Sequence, residues 1–216
     1  MATADNPSRE LILQRIRSGL QMPIAAPHEA GPARPFFSPI ENPLERFQQE
    51  CKANLMELSL TSGPEETAQQ LAAVLSSLPD GEIFVQDHPS LRALVQAAGV
   101  SRDIRWSSQG GPREVAQATI TLAEALVAQT GSIFVSAACG GRGASVVAPC
   151  HIVFATTDQL VPDLKTALSN AARNGILASN SYACMISGSS RTADIEKILV
   201  QGAHGPIRLA VILERK

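Results

Sequence analysis

Where an apolar run ends at Ile186, the chain continues Ser187-Gly188-Ser189-Ser190-Arg191-Thr192-Ala193-Asp194-Ile195-Glu196. Hydroxyls, backbone N–H groups and a guanidinium in one turn suit an anion, because arginine presents a planar fork that grips a carboxylate or phosphate with two hydrogen bonds. A helix starting near Arg191 would add the positive end of its dipole. The competing reading is a well-capped helix in which Arg191 pairs with Asp194 or Glu196. A second stretch, Cys139-Gly140-Gly141-Arg142-Gly143, lets backbone amides approach a ligand closely; as a flexible turn between two strands it needs none. Thr130-Gly131-Ser132 offers two further hydroxyls beside a glycine that also serves as a plain C-cap. Gly202-Ala203-His204-Gly205-Pro206 presents His204 as an acid, a base or a hydrogen-bond donor, or as part of an ordinary turn.

Other chemistries are excluded by what is missing. His28, His88, His151 and His204 show no HxxxH or Cys-His spacing, so no zinc site is expected. Cys51, Cys139, Cys150 and Cys184 stand singly, without the CxxC steps of an iron–sulfur ligand run, and read as reduced cytosolic thiols. Cys139 beside Arg142 is a candidate reactive thiol, although buried, inert cysteine is the commoner outcome. Position 192 is Thr rather than the glycine of a nucleophile elbow, and position 146 is Val, which breaks GxGxxG. With 18 basic and 20 acidic residues the net charge is -2, which argues against nucleic acid. No apolar run approaches the roughly 20 residues of a membrane helix, and the N-terminal region lacks a signal-peptide core, so a soluble cytoplasmic protein is expected. Aromatics are only 4% of residues, so the core must be built from Ala, Val, Ile and Leu.

The elements that position these residues follow from periodicity. Residues 8 to 20 carry Ile12, Leu13, Ile16 and Leu20 on one helical face, and six prolines between Met22 and Leu44 favour an extended connection. Residues 1–43 thus read as a helix and Pro-rich arm, which packs on its own core or docks on a neighbour, and 44–216 as one α/β domain. Helical spacing recurs at Leu44, Phe47, Cys51, Leu55 and Leu58, then from Ala68 to Leu78. Glu82 to Gln86 and Asp103 to Ser107 read as strands flanking a short helix from Pro89 to Gly99. A helix is expected from Pro112 to Gln129 with Val115, Thr119, Leu122 and Leu126 on its buried face, and another from Asp158 through Val161, Leu164 and Leu168. Ser132 to Ala137, His151 to Thr156, Tyr182 to Ser187 and Ile207 to Leu213 read as strands. That alternation predicts a mostly parallel sheet with helices on both faces, with ligands beyond the carboxyl ends of the strands.

The segments Gly188 to Glu196 and Gly202 to Pro206 resemble the signature of the LUD-domain family, in its lactate-utilization protein C branch. Ser189 stands where the family has proline, and Ala203 where it has valine. Gln129-Thr130-Gly131-Ser132 is similar to the family's glutamate-threonine-glycine-threonine, with Gln129 replacing the acid, and Pro149-Cys150-His151 resembles its proline-x-histidine entry to a strand. The similarity runs from about Val115 to Leu213. It implies a layered α/β fold of the sugar-phosphate isomerase and CoA-transferase class. It also implies a place beside two iron–sulfur subunits in oxidising L-lactate to pyruvate, with iron–sulfur clusters only in those partners and no cofactor in this chain. Three readings stay open: a non-redox component whose pocket around Ser190, Arg191 and Thr192 holds a small anion or a partner; a stand-alone isomerase or acyl/CoA-transfer enzyme using Glu196 or His204 for protons; and a structural assembly subunit that forms a homo-oligomer or docks through the arm.

Overall fold

The computed structural model describes residues 7–21, 38–110, 115–193, 199–201 and 205–216. The chain divides into two compact units, Met1–Ser38 and Pro39–Lys216. In the first, α1 (Pro7–Leu20) is the helix that the spacing of Ile12, Ile16 and Leu20 predicts, and those side chains and Leu11 are exposed. Its one acid, Glu10, lies 3.6 Å from Arg17. The Pro-rich stretch of residues 22–37 lies outside the described residues.

The second unit is built on a six-stranded sheet in the order β1 (Glu57–Thr61), β12 (Arg208–Glu214), β7 (Cys150–Thr156), β4 (Ala118–Leu122), β2 (Ile83–Val85) and β3 (Ile104–Trp106). Every neighbouring pair runs parallel. Alternation along the strands sends side chains to two different cores. Ile83, Val85, Ala118, Ile120, Cys150, Ile152, Ala210 and Ile212 meet α3 (Pro64–Ser76) and α4 (Pro89–Ala97) on one face. Val153, Ala155, Leu209, Val211 and Leu213 point the other way, against Phe47 and Cys51 of α2 (Pro43–Ala53) and a second sheet. Proline at the first turn opens each of these three helices, where its missing N–H costs nothing. The fold is therefore α/β with a parallel sheet and helices on both faces, as expected.

The second sheet is where the periodicity misleads. It has four strands in the order β8 (Leu160–Val161), β5 (Ala125–Val127), β6 (Ser132–Ser136) and β9 (Ala183–Ile186). The expected helix up to Gln129 is instead β4 and β5. β4 is hydrogen-bonded on both sides and nearly all its side chains are buried, so both of its faces are apolar or small, and such a run matches helical spacing by coincidence. Pro112 itself lies outside the described residues. Asp158 does not start a helix; Thr157–Gln159 is a single 3-10 turn, followed by β8. The helix α5 (Leu164–Arg173) begins later, where Asp163 accepts the N–H of Thr166 at 2.7 Å. Leu55 and Leu58 likewise fall beyond α2, which stops at Ala53. Leu55 takes a left-handed turn (φ 56°) and Leu58 belongs to β1. Ala171 of α5 and Ile176 of α6 (Ile176–Ser179) cover the outer side of the second sheet against Ala125 and Phe134. Four layers result: α3 with α4, the parallel sheet, α2 beside the mixed sheet, and α5 with α6.

In place of the helix expected to start near Arg191, residues 191–193 are strand. Arg191–Ala193 (β10) pairs antiparallel with Leu199–Gln201 (β11), Thr192 opposite Val200. β-branched Thr192 and Val200 favour such a ribbon over a helix.

Candidate functional site

The segment from Cys139 to Pro149 is a strap that begins beside the carboxyl end of β2 and delivers the chain to the amino end of β7. Gln86, just past β2, fixes the start: its Nε2 donates to Ala138 O at 3.0 Å, and its Oε1 accepts from Leu122 N–H at 2.8 Å. Gly140 (φ 82°) and Gly141 (φ 85°) then turn the chain in the left-handed region. A Cβ on Gly140 would stand 3.3 Å from Ala144 Cβ and 3.4 Å from the Phe84 ring, so close packing also requires glycine there. The 3-10 turn Arg142–Ser145 packs over β4, with Ala144 buried against Phe84 and Ala116. Several strap amides serve the strap itself: Gly141 N–H donates to Ala137 O, and Ala144 N–H to Gly141 O.

The two glycine-rich stretches picked out by residue type meet. Ser190 N–H donates to Pro206 O at 2.9 Å, and a Cβ on Gly205 would lie 3.2 Å from Ser190 Cβ and 3.9 Å from Val146 O. Gly188 (φ 99°) makes the turn and Ser189 is buried. The strap, the Gly188–Ser190 turn and Gly205–Pro206 thus form one junction. Four residues before Val146 on the same strap, Arg142 is stacked 5.2 Å from the Tyr182 ring centroid. Burial is the main cause raising the Tyr182 pKa, with hydrogen bonds to Cys184 adding to it, so the phenol stays protonated. Among the described residues no helix begins at this turn, so no helix end there adds attraction for an anion. The side chains of Arg191 and Thr192, and all of Glu196 and His204, lie outside the described residues.

Thr130-Gly131-Ser132 joins the same side through hydroxyls. Thr130 Oγ1 and Ser132 Oγ are 2.6 Å apart, and Ser132 Oγ is 2.6 Å from Ser187 Oγ, a relay running from exposed Ser187 to buried Ser132. Gly131 (φ 60°) serves packing instead. A Cβ there would strike Glu50 Cβ at 2.7 Å and its backbone carbon at 2.9 Å, so the glycine lets the β5–β6 turn sit on α2. Gln129 faces α5, its Oε1 accepting Leu164 N–H at 3.4 Å.

Two groupings escaped the reading of residue types. At the carboxyl end of β4, Glu124 accepts hydrogen bonds from Ser136 Oγ and, at 3.7 Å, from Cys139 Sγ, while Asn180 Oδ1 accepts Ala138 N–H at 3.0 Å. Assigning residues 115–129 to a helix hid Glu124; as a strand end it would have been noticed. Burial pushes the Cys139 thiol up to about 11, and Glu124 adds to the shift, so it is no thiolate nucleophile near neutrality. The second grouping is His151 with Thr121 and Thr119, all buried on the face of β4 and β7 opposite α3 and α4. His151 Nε2 lies 2.9 Å from Thr121 Oγ1, and burial lowers its pKa to about 4. The visible signal is a histidine and two threonines at alternate positions of otherwise apolar strands. Among the described residues no group of His, Cys, Asp and Glu is placed to hold a metal ion, and no helix is long and apolar enough to cross a membrane.

Comparison with known proteins places this architecture. The LUD domain family model matches residues 113–213, which hold the strap, the hydroxyl relay and the Gly188–Ser190 turn. Lactate utilization protein C of Deinococcus radiodurans is 32% identical over 100 residues, covering 45% of this chain and 46% of that one. The protein of the same name from Bacillus subtilis is 26% identical over 157 residues, covering 64% and 65%. The chain spans about half the length of most curated relatives it matches. A crystal structure of a DUF162 family protein from Deinococcus radiodurans has the same fold, with TM-score 0.60 and 20% identity over 80% of this chain and 96% of that one. Residues 113–213, just under half of the chain, are similar to the LUD domain family.

Proposed function

We propose that this chain is a non-iron–sulfur component of a cytoplasmic L-lactate utilization system, acting beside two iron–sulfur subunits in the conversion of lactate to pyruvate. In this reading the junction of Gly140–Gly143 with Gly188–Thr192 holds a small anionic ligand or a partner's acidic group. The observation that carries it is that the LUD domain match takes in both the strap that holds Arg142 and the Gly188–Ser190 turn, which meets Gly205 beside Val146 of that strap. The names of the relatives supply the pathway. In this reading Arg142 provides the charge, and the Thr130–Ser132–Ser187 hydroxyls provide neutral donors beside the Gly188 turn.

A second reading, a stand-alone enzyme of the isomerase or acyl/CoA-transfer type, is favoured by Glu124. Its carboxylate is held by Ser136 and Cys139 at the carboxyl end of a parallel strand, where α/β sheets bind ligands.

Reconstitution with the iron–sulfur companions separates these readings through lactate-dependent dye reduction. Arg142→Ala and Arg191→Ala are expected to lower the rate at least tenfold in a folded protein if the junction binds an anion. Deleting residues 1–43 should abolish it only if the arm assembles the complex. Full activity without this chain would sink the component reading. Loss of activity in Glu124→Gln, with Arg142→Ala unchanged, would favour the enzyme.

A further inference from the structure

Beneath the strap the main sheet carries a polar pair that the candidate site does not use. Thr119 on β4 and His151 on β7 are in-register neighbours, and both are 0% exposed. Phe84 stands beside Thr119 on β2 and Leu209 beside His151 on β12, so apolar side chains close both ends of the row. Ala144 packs on Phe84 from the strap side. His151 Nε2 is engaged with the Thr121 hydroxyl, yet neither His151 Nδ1 nor Thr119 Oγ1 has a hydrogen-bond partner among the described residues. Buried donors and acceptors in folded proteins nearly always find a partner, in protein or in ordered water.

The chemistry of the two atoms fixes what can join them. A neutral imidazole presents one donor and one acceptor nitrogen, and a threonine hydroxyl both donates and accepts. A guest that can do both satisfies the pair in either tautomer of His151. A charged guest would be stripped of water with no counter-charge in the row. Both residues are closed to bulk solvent, and a single water is the smallest guest that both donates and accepts.

We propose that Thr119 and His151 form a binding site for one ordered water molecule, which bridges β4 and β7 beneath the Arg142–Ser145 turn. Through Nδ1 this water satisfies His151 in either tautomer, whether Nε2 donates to the Thr121 hydroxyl or accepts from it. The proposal is independent of any role in lactate metabolism.

Thr119→Val tests it by sign, since valine keeps the shape and removes the hydroxyl. If a water bridges the pair, the variant takes away one of its anchors and leaves His151 Nδ1 poorly satisfied, so the melting temperature falls. If nothing bridges the pair, the variant removes an unsatisfied buried hydroxyl; a melting temperature that is unchanged or raised overturns the proposal. A crystal structure resolving ordered solvent is the second readout. Density within hydrogen-bonding distance of both atoms is expected in the wild type and should be lost in the variant. Density at neither atom, or His151 Nδ1 paired with a protein group, overturns it. Should the valine variant not fold, the wild-type density decides alone.

Discussion

The two faces of the parallel sheet are built on different terms. Toward α3 and α4 the strands present Ile83, Val85, Ile120, Ile152 and Ile212, an apolar surface that asks only for volume and shape. Toward the strap and second sheet, the same strands present Val153, Leu209 and Val211 interleaved with Thr119, Thr121 and His151. The candidate junction, the hydroxyl relay and Glu124 all lie on the side of the second sheet and the strap. The first face supplies stability that tolerates no cavity; the second accepts buried polar groups wherever each can be satisfied. A difference of this kind predicts different responses to the same size of change.

The largest effect is expected on the apolar face. Ile152→Ala should cost about 2–5 kcal/mol in denaturant unfolding, because the removed atoms leave a cavity in a packed layer. A loss under about 1 kcal/mol would break the comparison. Next comes His151, whose pKa in the folded protein is lowered to about 4 by burial. The folded state therefore binds fewer protons than the unfolded state between about pH 6.5 and 4, and stability must fall as pH drops through that window, by about 3 kcal/mol once both states are titrated. Unfolding curves at pH 7 and pH 4.5 should show this fall, and His151→Phe should flatten it. Thr121→Val should cost about 1–3 kcal/mol by leaving His151 Nε2 without its partner, a penalty that an equivalent swap on the apolar face lacks. Arg142→Ala should change stability by no more than about 0.5 kcal/mol, since Arg142 is exposed and touches a ring rather than a core. Finally, thiol reagents at pH 8 should spare Cys51, Cys139 and Cys150 in the native protein, because burial pushes these thiols up to about 12, 11 and 11. All should react after denaturation; fast native labelling of Cys139 would restore it as a functional group.

What the sequence revealed follows the same division. Elements whose two sides differ chemically were legible: α3 and α4 carry one apolar stripe each and open with proline, and the flanking strands are bounded by turn residues. The stretch from Val115 to Gln129 was not, because a strand buried on both faces has no period of its own, and alanine and leucine there mimic a helix. That one misreading also concealed Glu124 and the second sheet. Arg191 was misplaced for a related reason: a serine-rich turn starts a helix and a β-ribbon equally well, and only pairing with Leu199–Gln201 decides. Ser190, Gly205 and the Gly140–Gly143 strap were legible as types but not as neighbours, since contacts between distant segments leave no trace in local spacing.

The strand order carries one more consequence. β12 lies between β1 and β7, so Glu57 of β1 pairs with Ala210, and Arg208 clasps Glu57 through two hydrogen bonds of 2.6 and 2.7 Å. Among the described residues no other strand of the sheet pairs with β1. During synthesis the polypeptide must therefore keep its first strand waiting, with one edge unpaired, until residues some 150 positions later emerge to fill the gap. Such long-range closure makes assembly slow and leaves the nascent chain dependent on protection from aggregation.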